Sequence, residues 1–307
     1  MSNTSAGKLT ANNRIRNTKT TVAFNIIGIA FITIIAFVCL MPFILIISNS
    51  FTSEQAIRFH GYSLWPQEPT LEAYSIVFRN PEKILRAYGV TLSIAAIGTS
   101  IGLLLITMTA YVISRKDFKY RNYLSFFFYF TTLFNGGMVC TYIYYIQYLN
   151  LKDNIAALIL PGLFNVFYLL IMRSFIAQIP SALIESAKID GANELRTFLQ
   201  IVLPLLGSAL ATIGLFMALY YWNDWYNAML YINTAKKYPL QYMLYDMLMQ
   251  QQAMMQIASQ IGVRMEELPS SSLKMAMAVV ATGPIILLYP FVQKYFVKGV
   301  TIGSVKG

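Results

Sequence analysis

Apolar runs of 20 residues or more recur along the whole chain. At about 1.5 Å per residue, a helix of that length crosses the roughly 30 Å hydrocarbon core of a bilayer. No water is available there to satisfy the backbone, so each run must bond to itself as a helix. Six such segments are read, at about 21–49, 87–114, 122–147, 155–178, 205–231 and 273–293. The expected fold class is an all-α integral membrane protein with about six transmembrane helices. Composition agrees: 57% of the 307 residues are hydrophobic and 12% are charged, about half the charge of a soluble domain. The first run is too long for the apolar core of a signal peptide and no small-residue cleavage site follows it, so no cleavable signal is expected.

Lysine and arginine set the orientation. With the N-terminus in the cytoplasm, the inner segments hold Lys8, Arg14, Arg16 and Lys19, then Arg115, Lys116, Lys119 and Arg121. Arg173, Lys188, Arg196, Lys294, Lys298 and Lys306 complete the set. Fourteen of the 23 basic residues then face inward, against Asp117, Glu185, Asp190 and Glu194. The outer segments hold nine of each sign, so the whole net charge of +10 lies on one side. An anionic inner leaflet attracts such segments, and no nucleic acid is needed to explain the basicity. Both termini are expected in the cytoplasm, with residues 1–20 as a basic tail. Long outer loops fall at about 50–86 and 232–272; they are either docking surfaces or plain connections. The lone histidine, His60, reads as a loop surface residue, and no His/Cys/Asp cluster has metal spacing. Cys39 and Cys140 fall inside spans and read as buried small apolar residues, not as a disulfide.

One stretch of the second half is conspicuously polar: "ESAKIDGANELRTFLQIVLP", Glu185 to Pro204. Pro180 and Ser181 are a helix start signal. Gly191 follows Asp190 and suits a left-handed helix end. A second helix then carries Leu195, Phe198, Leu199 and Val202 at i, i+3, i+4, i+7, an apolar stripe able to anchor it on the membrane domain. The stretch is thus helix, glycine turn, helix, on the cytoplasmic side. It serves either as an interfacial connector or as a docking element. Glu185 and Asp190 are too poorly accompanied for catalysis, because no nucleophile, metal ligand or oxyanion donor sits with them.

In the fifth segment Tyr220, Asn223, Asp224 and Asn227 share one helical face, with Trp222, Trp225 and Met229 opposite. A carboxylate and two amides are costly against lipid and face an interior cavity or bond between helices as packing; both readings stand. Thr131, Asn135, Met138 and Tyr142 trace a weaker stripe on the third segment, where Gly136-Gly137 permits a close crossing or a break. A secondary transporter would call for inverted repeats or paired intramembrane ionisable groups; no repeat recurs at a fixed offset, and Asp224 is the one clear intramembrane acid.

The spacing in the polar stretch resembles the EAA loop of ABC-importer permeases. Glu185-Ser186-Ala187, three residues, Gly191, nine residues and Ile201-Val202-Leu203-Pro204 match seven of eight family positions. Ser186 departs, standing where the family has alanine. "AYVISR" (110–115), "IMRSFIAQIP" (171–180) and "YWNDW" (221–225) are similar to segments of maltose-type carbohydrate permeases. "LFNGGMVCTY" (133–142) and the tail Tyr289 to Gly307 look like a subgroup near the lipoprotein-associated oligosaccharide permeases. The resemblance covers about residues 20–307. It implies a type I importer-like transmembrane domain over 21–307 with a coupling loop at 180–204. There Glu185, Ser186, Ala187, Asp190, Gly191, Ala192, Ile201, Leu203 and Pro204 would seat on a cytoplasmic ATPase dimer that binds ATP and Mg. It further implies a second permease forming a heterodimer, an extracellular solute-binding lipoprotein, and a multi-pass location in the bacterial cytoplasmic membrane. The cargo would be a carbohydrate, an oligosaccharide by the subgroup, with a non-sugar solute as the alternative. Asn135, Tyr142, Tyr220, Asn223, Asp224 and Asn227 would line its path. This chain carries no G-x-x-x-x-G-K-[ST] loop, so it is expected to be a translocation subunit and not an enzyme, with no cofactor of its own.

Overall fold

The computed structural model describes residues 19–134, 136–260 and 271–286. Among them are helices and no strand; one isolated bridge joins Thr52 to Pro69. The basic tail through residue 18, Asn135, residues 261–270, and the chain end with Lys294, Lys298, Lys306 and the Tyr289–Gly307 motif lie outside the described residues.

Helix α1 (Lys19–Ser50) is mostly apolar, and between Val22 and Phe43 nearly all its side chains are exposed; Leu45 and Ile46 are half-buried and Ser48, Asn49 and Ser50 are buried in the fold. Two short helices follow, α2 (Glu54–His60) and α3 (Glu72–Val77). Helix α4 (Pro81–Ser114) begins with proline, whose missing N–H is harmless in a first turn. Next come α5 (Arg121–Leu133), α6 (Gly137–Tyr148), α7 (Ala156–Gly162) and α8 (Val166–Ile176). Then α9 (Ser181–Ile189) leads to α10 (Glu194–Leu205), α11 (Gly207–Trp222) and α12 (Tyr226–Tyr231). The described chain closes with α13 (Leu240–Gln260) and α14 (Ser271–Ile286).

Among the described residues, α1 and α4 are each long and apolar enough to cross a membrane unaided. Three of the other expected spans are not straight, and the one at 273–293 is α14 as far as Ile286, beyond which it lies outside the described residues. The segment at 122–147 is split into α5 and α6 around Gly136 and Gly137. The segment at 155–178 is two helices, α7 and α8, bent by 50°. Asn165 restarts the second of these, its side chain accepting from the Phe167 N–H at 2.8 Å. The segment at 205–231 ends as a helix at Trp222 and resumes as α12, and it meets α10 at an 81° bend. Hydropathy cannot see these breaks because a broken helix is as apolar as a straight one.

Helix α4 is the spine, since it contributes to each of three core clusters. Near its start Ile84 and Ala87 pack with Ala73, Val77, Trp222, Leu240 and α14 residues. In its middle Ile94 and Ala95 meet Leu158, Tyr221 and Ala228. Toward its end Ile106, Tyr111 and Ile113 join Leu169, Met172, Phe198, Val202 and Ile213. The middle is where α11 comes closest, at Gly98 and Gly102. A Cβ on Gly98 would lie 2.4 Å from the Tyr221 ring, and one on Gly102 would lie 2.2 Å from the Met217 methyl and 2.8 Å from the Leu163 carbonyl. Buried Tyr221 donates to the Ile159 carbonyl at 2.8 Å.

Polar contacts pin the remaining elements. Buried Glu54 accepts from the Ser271 and Ser272 N–H groups at 2.8 and 3.1 Å, so it caps α14 from a distant part of the chain. Pro284 has no N–H to give the Val280 carbonyl four residues back; the Tyr88 hydroxyl donates to it at 2.6 Å, and Trp222 Nε1 donates to Ala281 at 3.1 Å. Asp153 accepts from the Asn233 and Thr234 N–H groups and from Lys237. These bonds, the one from Lys237 first, hold its carboxyl well below the usual range.

Two sequence expectations fail here. Cys39 and Cys140 are exposed and free, not buried, because α1 and α6 turn those faces away from the rest of the chain. Leu195 and Leu199 are also exposed, whereas Thr197, Phe198 and Val202 are buried. A wide π turn over Phe198–Val202 departs from the 3.6-residue period where Leu199 sits, while Leu195, in the regular turn before it, lies on the face turned away from Tyr111 and Phe198.

The close crossing yields a test. Gly102→Val should destabilise the chain by about 1–3 kcal/mol through overpacking. Gly89→Ala, where an added Cβ meets nothing within 4 Å, should be neutral or stabilising by up to about 1 kcal/mol. Thermal unfolding of the detergent-purified assembly measures both. Equal midpoints would remove the crossing as the organising contact.

Candidate functional site

The polar stretch folds as its residues demand. Helix α9 ends at Asp190, and Gly191 adopts φ +76°, a conformation that strains any residue with a Cβ. The Ala192 N–H bonds to the Ala187 carbonyl at 2.9 Å and the Gly191 N–H to the Lys188 carbonyl at 3.1 Å. That bond pair is a Schellman motif, which uses two of the carbonyls a helix end leaves free. Asn193 then caps α10, its Oδ1 accepting from the Arg196 N–H at 2.8 Å. The turn therefore fixes both helix ends within four residues, 190–193.

Ala187 is buried beneath this turn, while Glu185, Ser186, Asp190 and Gly191 are exposed. Ala192, Ile201 and Leu203 are half-buried, and Pro204 is exposed just before the bend at Leu206. Next to the charges stands an aliphatic group in the open: Ile189 is 86% exposed, four residues from Glu185. Leu183, Leu195 and Leu199 are exposed on the same pair of helices.

The end of α4 meets this pair through a closed set of polar groups. Tyr111 donates to Glu194 Oε2 at 2.7 Å. Arg115 donates to both Asp117 oxygens, at 3.1 and 2.8 Å, and to Glu194 Oε1 at 3.0 Å. Lys188 reaches Asp117 at 2.9 Å and Glu194 at 3.4 Å. Hydrogen bonds from Lys188 and then Arg115 hold the Asp117 carboxyl down at about 2. Sequence reading assigned Tyr111 and Asp117 no part in the loop. The signal was a cation-acid pair, Arg115 and Asp117, directly after a span and facing two opposite charges 71 and 79 residues on.

The second candidate region lies at the break after α11. Tyr220, Asn223, Asp224, Trp225 and Tyr226 line a pocket of about 350 Å³. The expected single helical face does not exist, because the helix stops at Trp222. Asp224 instead starts the next helix: its Oδ1 accepts from the Asn227 N–H at 3.0 Å and its Oδ2 from Asn227 Nδ2 at 2.9 Å. Asn223 gives its amide N–H to the Leu219 carbonyl at 2.9 Å. Trp225, expected on the opposite face, lies with these groups and packs on Tyr245 at 4.7 Å between centroids. Tyr142 stacks on Tyr231 of α12 at 5.8 Å, so the third and fifth segments do meet here. Tyr226 donates to the Met138 sulfur. Asn135 lies outside the described residues. The break thus gathers Tyr220, Asn223, Asp224 and Asn227 by a turn, not by helical periodicity.

No protein-family model matches the chain. It is 40% identical over 284 residues to the polygalacturonan/rhamnogalacturonan transport system permease protein YtcP of Bacillus subtilis, covering 92% of this chain and 98% of that one. It is 39% identical to Protein LplC of the same organism, over 95% and 98% of the two chains. Among solved structures it is similar to a bacterial ABC transporter involved in the import of the acidic polysaccharide alginate. That likeness has a TM-score of 0.76 at 28% identity and covers 91% of this chain and 98% of the other.

Asp224 separates a cap from a cargo contact. Asp224→Asn keeps an oxygen to cap Asn227, whereas Asp224→Ala forfeits the cap at about 1 kcal/mol. The Asn variant should assemble with unchanged thermal stability and lose sugar uptake. Full uptake by Asp224→Asn would make the cap the whole role of this carboxylate.

Proposed function

This chain belongs to the permease subunits of sugar ABC transport systems, and we propose that its helix pair α9–α10 is the seat through which a separate ATPase drives it. The observation that carries this reading is the rigid, doubly capped turn at Gly191 with Glu185 and the bare Ile189 beside it. Ile189 is joined on the same helix pair by exposed Leu183, Leu195 and Leu199, and apolar surface rimmed by charges is the kind that another protein covers. A turn pinned by four backbone and cap hydrogen bonds, counting Asp190 to Ser186, moves as a body when pushed.

In this proposal the chain spans the bacterial cytoplasmic membrane six times, with both termini and the coupling loop 180–204 inside. Residues 1–20 are a cytoplasmic tail, and 21–307 form the importer domain. A second, different permease completes the channel. A dimer of ATPases binds ATP and Mg; this chain binds neither. A solute-binding lipoprotein outside delivers the cargo, which passes inward by alternating access. The cargo is an oligosaccharide, in keeping with the polygalacturonan and alginate named for its relatives. Asn223, Asp224, Asn227, Tyr220 and Tyr142, with Asn135, line part of the route. The aromatic pocket at the α11 break supports this, because rings stack on sugar C–H faces and amides pair with hydroxyls.

Two substitutions test the docking. Glu185→Lys places a like charge where the interface expects an acid, at a cost of several kcal/mol. Gly191→Val strains the turn, because φ is +76° there. Both variants should insert and bind the partner permease, yet lose the ATPase in a pull-down or hydrolyse ATP without uptake. Normal ATPase recovery with normal coupled transport in both would reduce α9–α10 to a connector.

A further inference from the structure

The polar groups between α4 and the helix pair go unused by the docking reading. Three segments contribute: Tyr111, Arg115 and Asp117 from the end of α4 and just beyond, Lys188 from α9, and Glu194 from α10. The two arms are held very differently. Helix α10 is packed: Phe198 and Val202 are buried, and the Phe198 ring lies 5.4 Å from that of Tyr111. Helix α9 is not, since Ala187 alone is buried among its described residues. A cavity of about 670 Å³ lies between α9 and the end of α4, lined by Ser114, Arg115, Ile179, Ile184, Glu185 and others. Lys188 bridges this gap with a single side chain, to Asp117 at 2.9 Å and Glu194 at 3.4 Å.

Ion pairs this exposed add little stability, about 0–1 kcal/mol each. Their geometry is the informative part. Arg115 forks onto Asp117 and also reaches Glu194, and Lys188 holds the same two acids from the other side. Charge-assisted bonds of this kind are short and directional. A ring of them joining three segments resists relative rotation where a single pair would not. The low titration range of Asp117 keeps that carboxylate charged at any pH a cell meets.

We propose that Tyr111, Arg115, Asp117, Lys188 and Glu194 form a tie that transmits displacement of the helix pair to α4, and so are positioning residues for transport. The bond from Tyr111 to Glu194 links the second arm to the span itself, and the Lys188 bridge links the first. This rests on α9–α10 being the ATPase seat.

The test uses the whole transporter, with its partner permease, ATPase and binding protein, in proteoliposomes. Uptake and ATP hydrolysis are read in the same vesicles. The probe is the sugar that the wild-type complex selects from oligogalacturonides, arabino-oligosaccharides and maltodextrins. Tyr111→Phe removes one hydroxyl and keeps the packing on Phe198. Lys188→Met removes the charge at similar length, and Lys188→Arg keeps it. Tyr111→Phe and Lys188→Met should recover ATPase and complex at wild-type yield, with sugar moved per ATP lowered about fivefold or more. Lys188→Arg should hold the wild-type ratio. A wild-type ratio in both Tyr111→Phe and Lys188→Met overturns the tie; if Glu185→Lys in the same series still loses the ATPase or its coupling, the docking reading stands without it. Loss of complex yield with an unchanged ratio overturns the tie as well, since the ring would then serve structure alone. Normal ATPase recovery and coupling in Glu185→Lys and Gly191→Val overturns both readings.

Discussion

The crossing of α4 and α11 is the constraint on which the rest of this chain depends. Lipid tails are as apolar as leucine, so helices in a membrane gain nothing by hiding apolar surface from each other. They associate where backbones come close enough for dense packing. Gly98 and Gly102 are four apart, a small-xxx-small pair, and they let Tyr221 and Met217 lie almost on the α4 backbone. With that contact set, Tyr221 reaches the Ile159 carbonyl and brings in α7. Trp222, one residue on, reaches α14. Two adjacent aromatic side chains at the end of one helix thus recruit two others, and the three core clusters follow along α4.

The breaks in the other spans follow from the same chemistry. A helix interrupted inside a membrane exposes N–H and C=O groups that lipid cannot satisfy. Here a polar side chain answers at several of them. Asn165 caps α8, Asp224 caps α12, and Tyr88 takes the carbonyl that Pro284 deprives of a donor. Polar residues that look expensive in a hydropathy profile are therefore partly structural. Asp224 bonds Asn227 through both oxygens and borders a pocket at once.

Much of this was legible in the residues, and the failures have a common cause. The expected span 21–49 meets α1 at Lys19–Ser50, and 87–114 falls within α4, because long unbroken apolar runs admit no other arrangement. Gly191 announced its turn, since local backbone chemistry does not depend on distant contacts, whereas the cap that Asn193 supplies went unread. Leu195, Leu199, Trp225 and Cys39 were misplaced. Each was assigned a face by assuming either an ideal helix or a neighbour within the same chain. The π turn at Phe198–Val202 breaks the first assumption. The bare surface of α1 breaks the second. The Gly98–Gly102 pair was readable as a motif and went unread, because apolar length alone already explained its helix.

The two candidate regions sit at opposite stretches of the spine. Tyr111 belongs to the charged ring, and Gly98, thirteen residues earlier on α4, carries the Tyr221 contact. That separation is about 20 Å of uninterrupted helix. Tyr221 is in turn two residues from Asn223, where α11 stops and the pocket begins. A push on the helix pair thus has a short mechanical route to the break: the ring, α4, the glycine crossing, then Tyr221. Each joint on it is rigid for a different reason: charge-assisted bonds, an unbroken backbone ladder, and a contact too tight to slide. The continuous helix ends at the break itself, where Asn223 bonds back to the Leu219 carbonyl and Trp225 packs on Tyr245. On this reading the route ends where the helix does, so a displacement carried through these joints arrives at the residues that border the pocket.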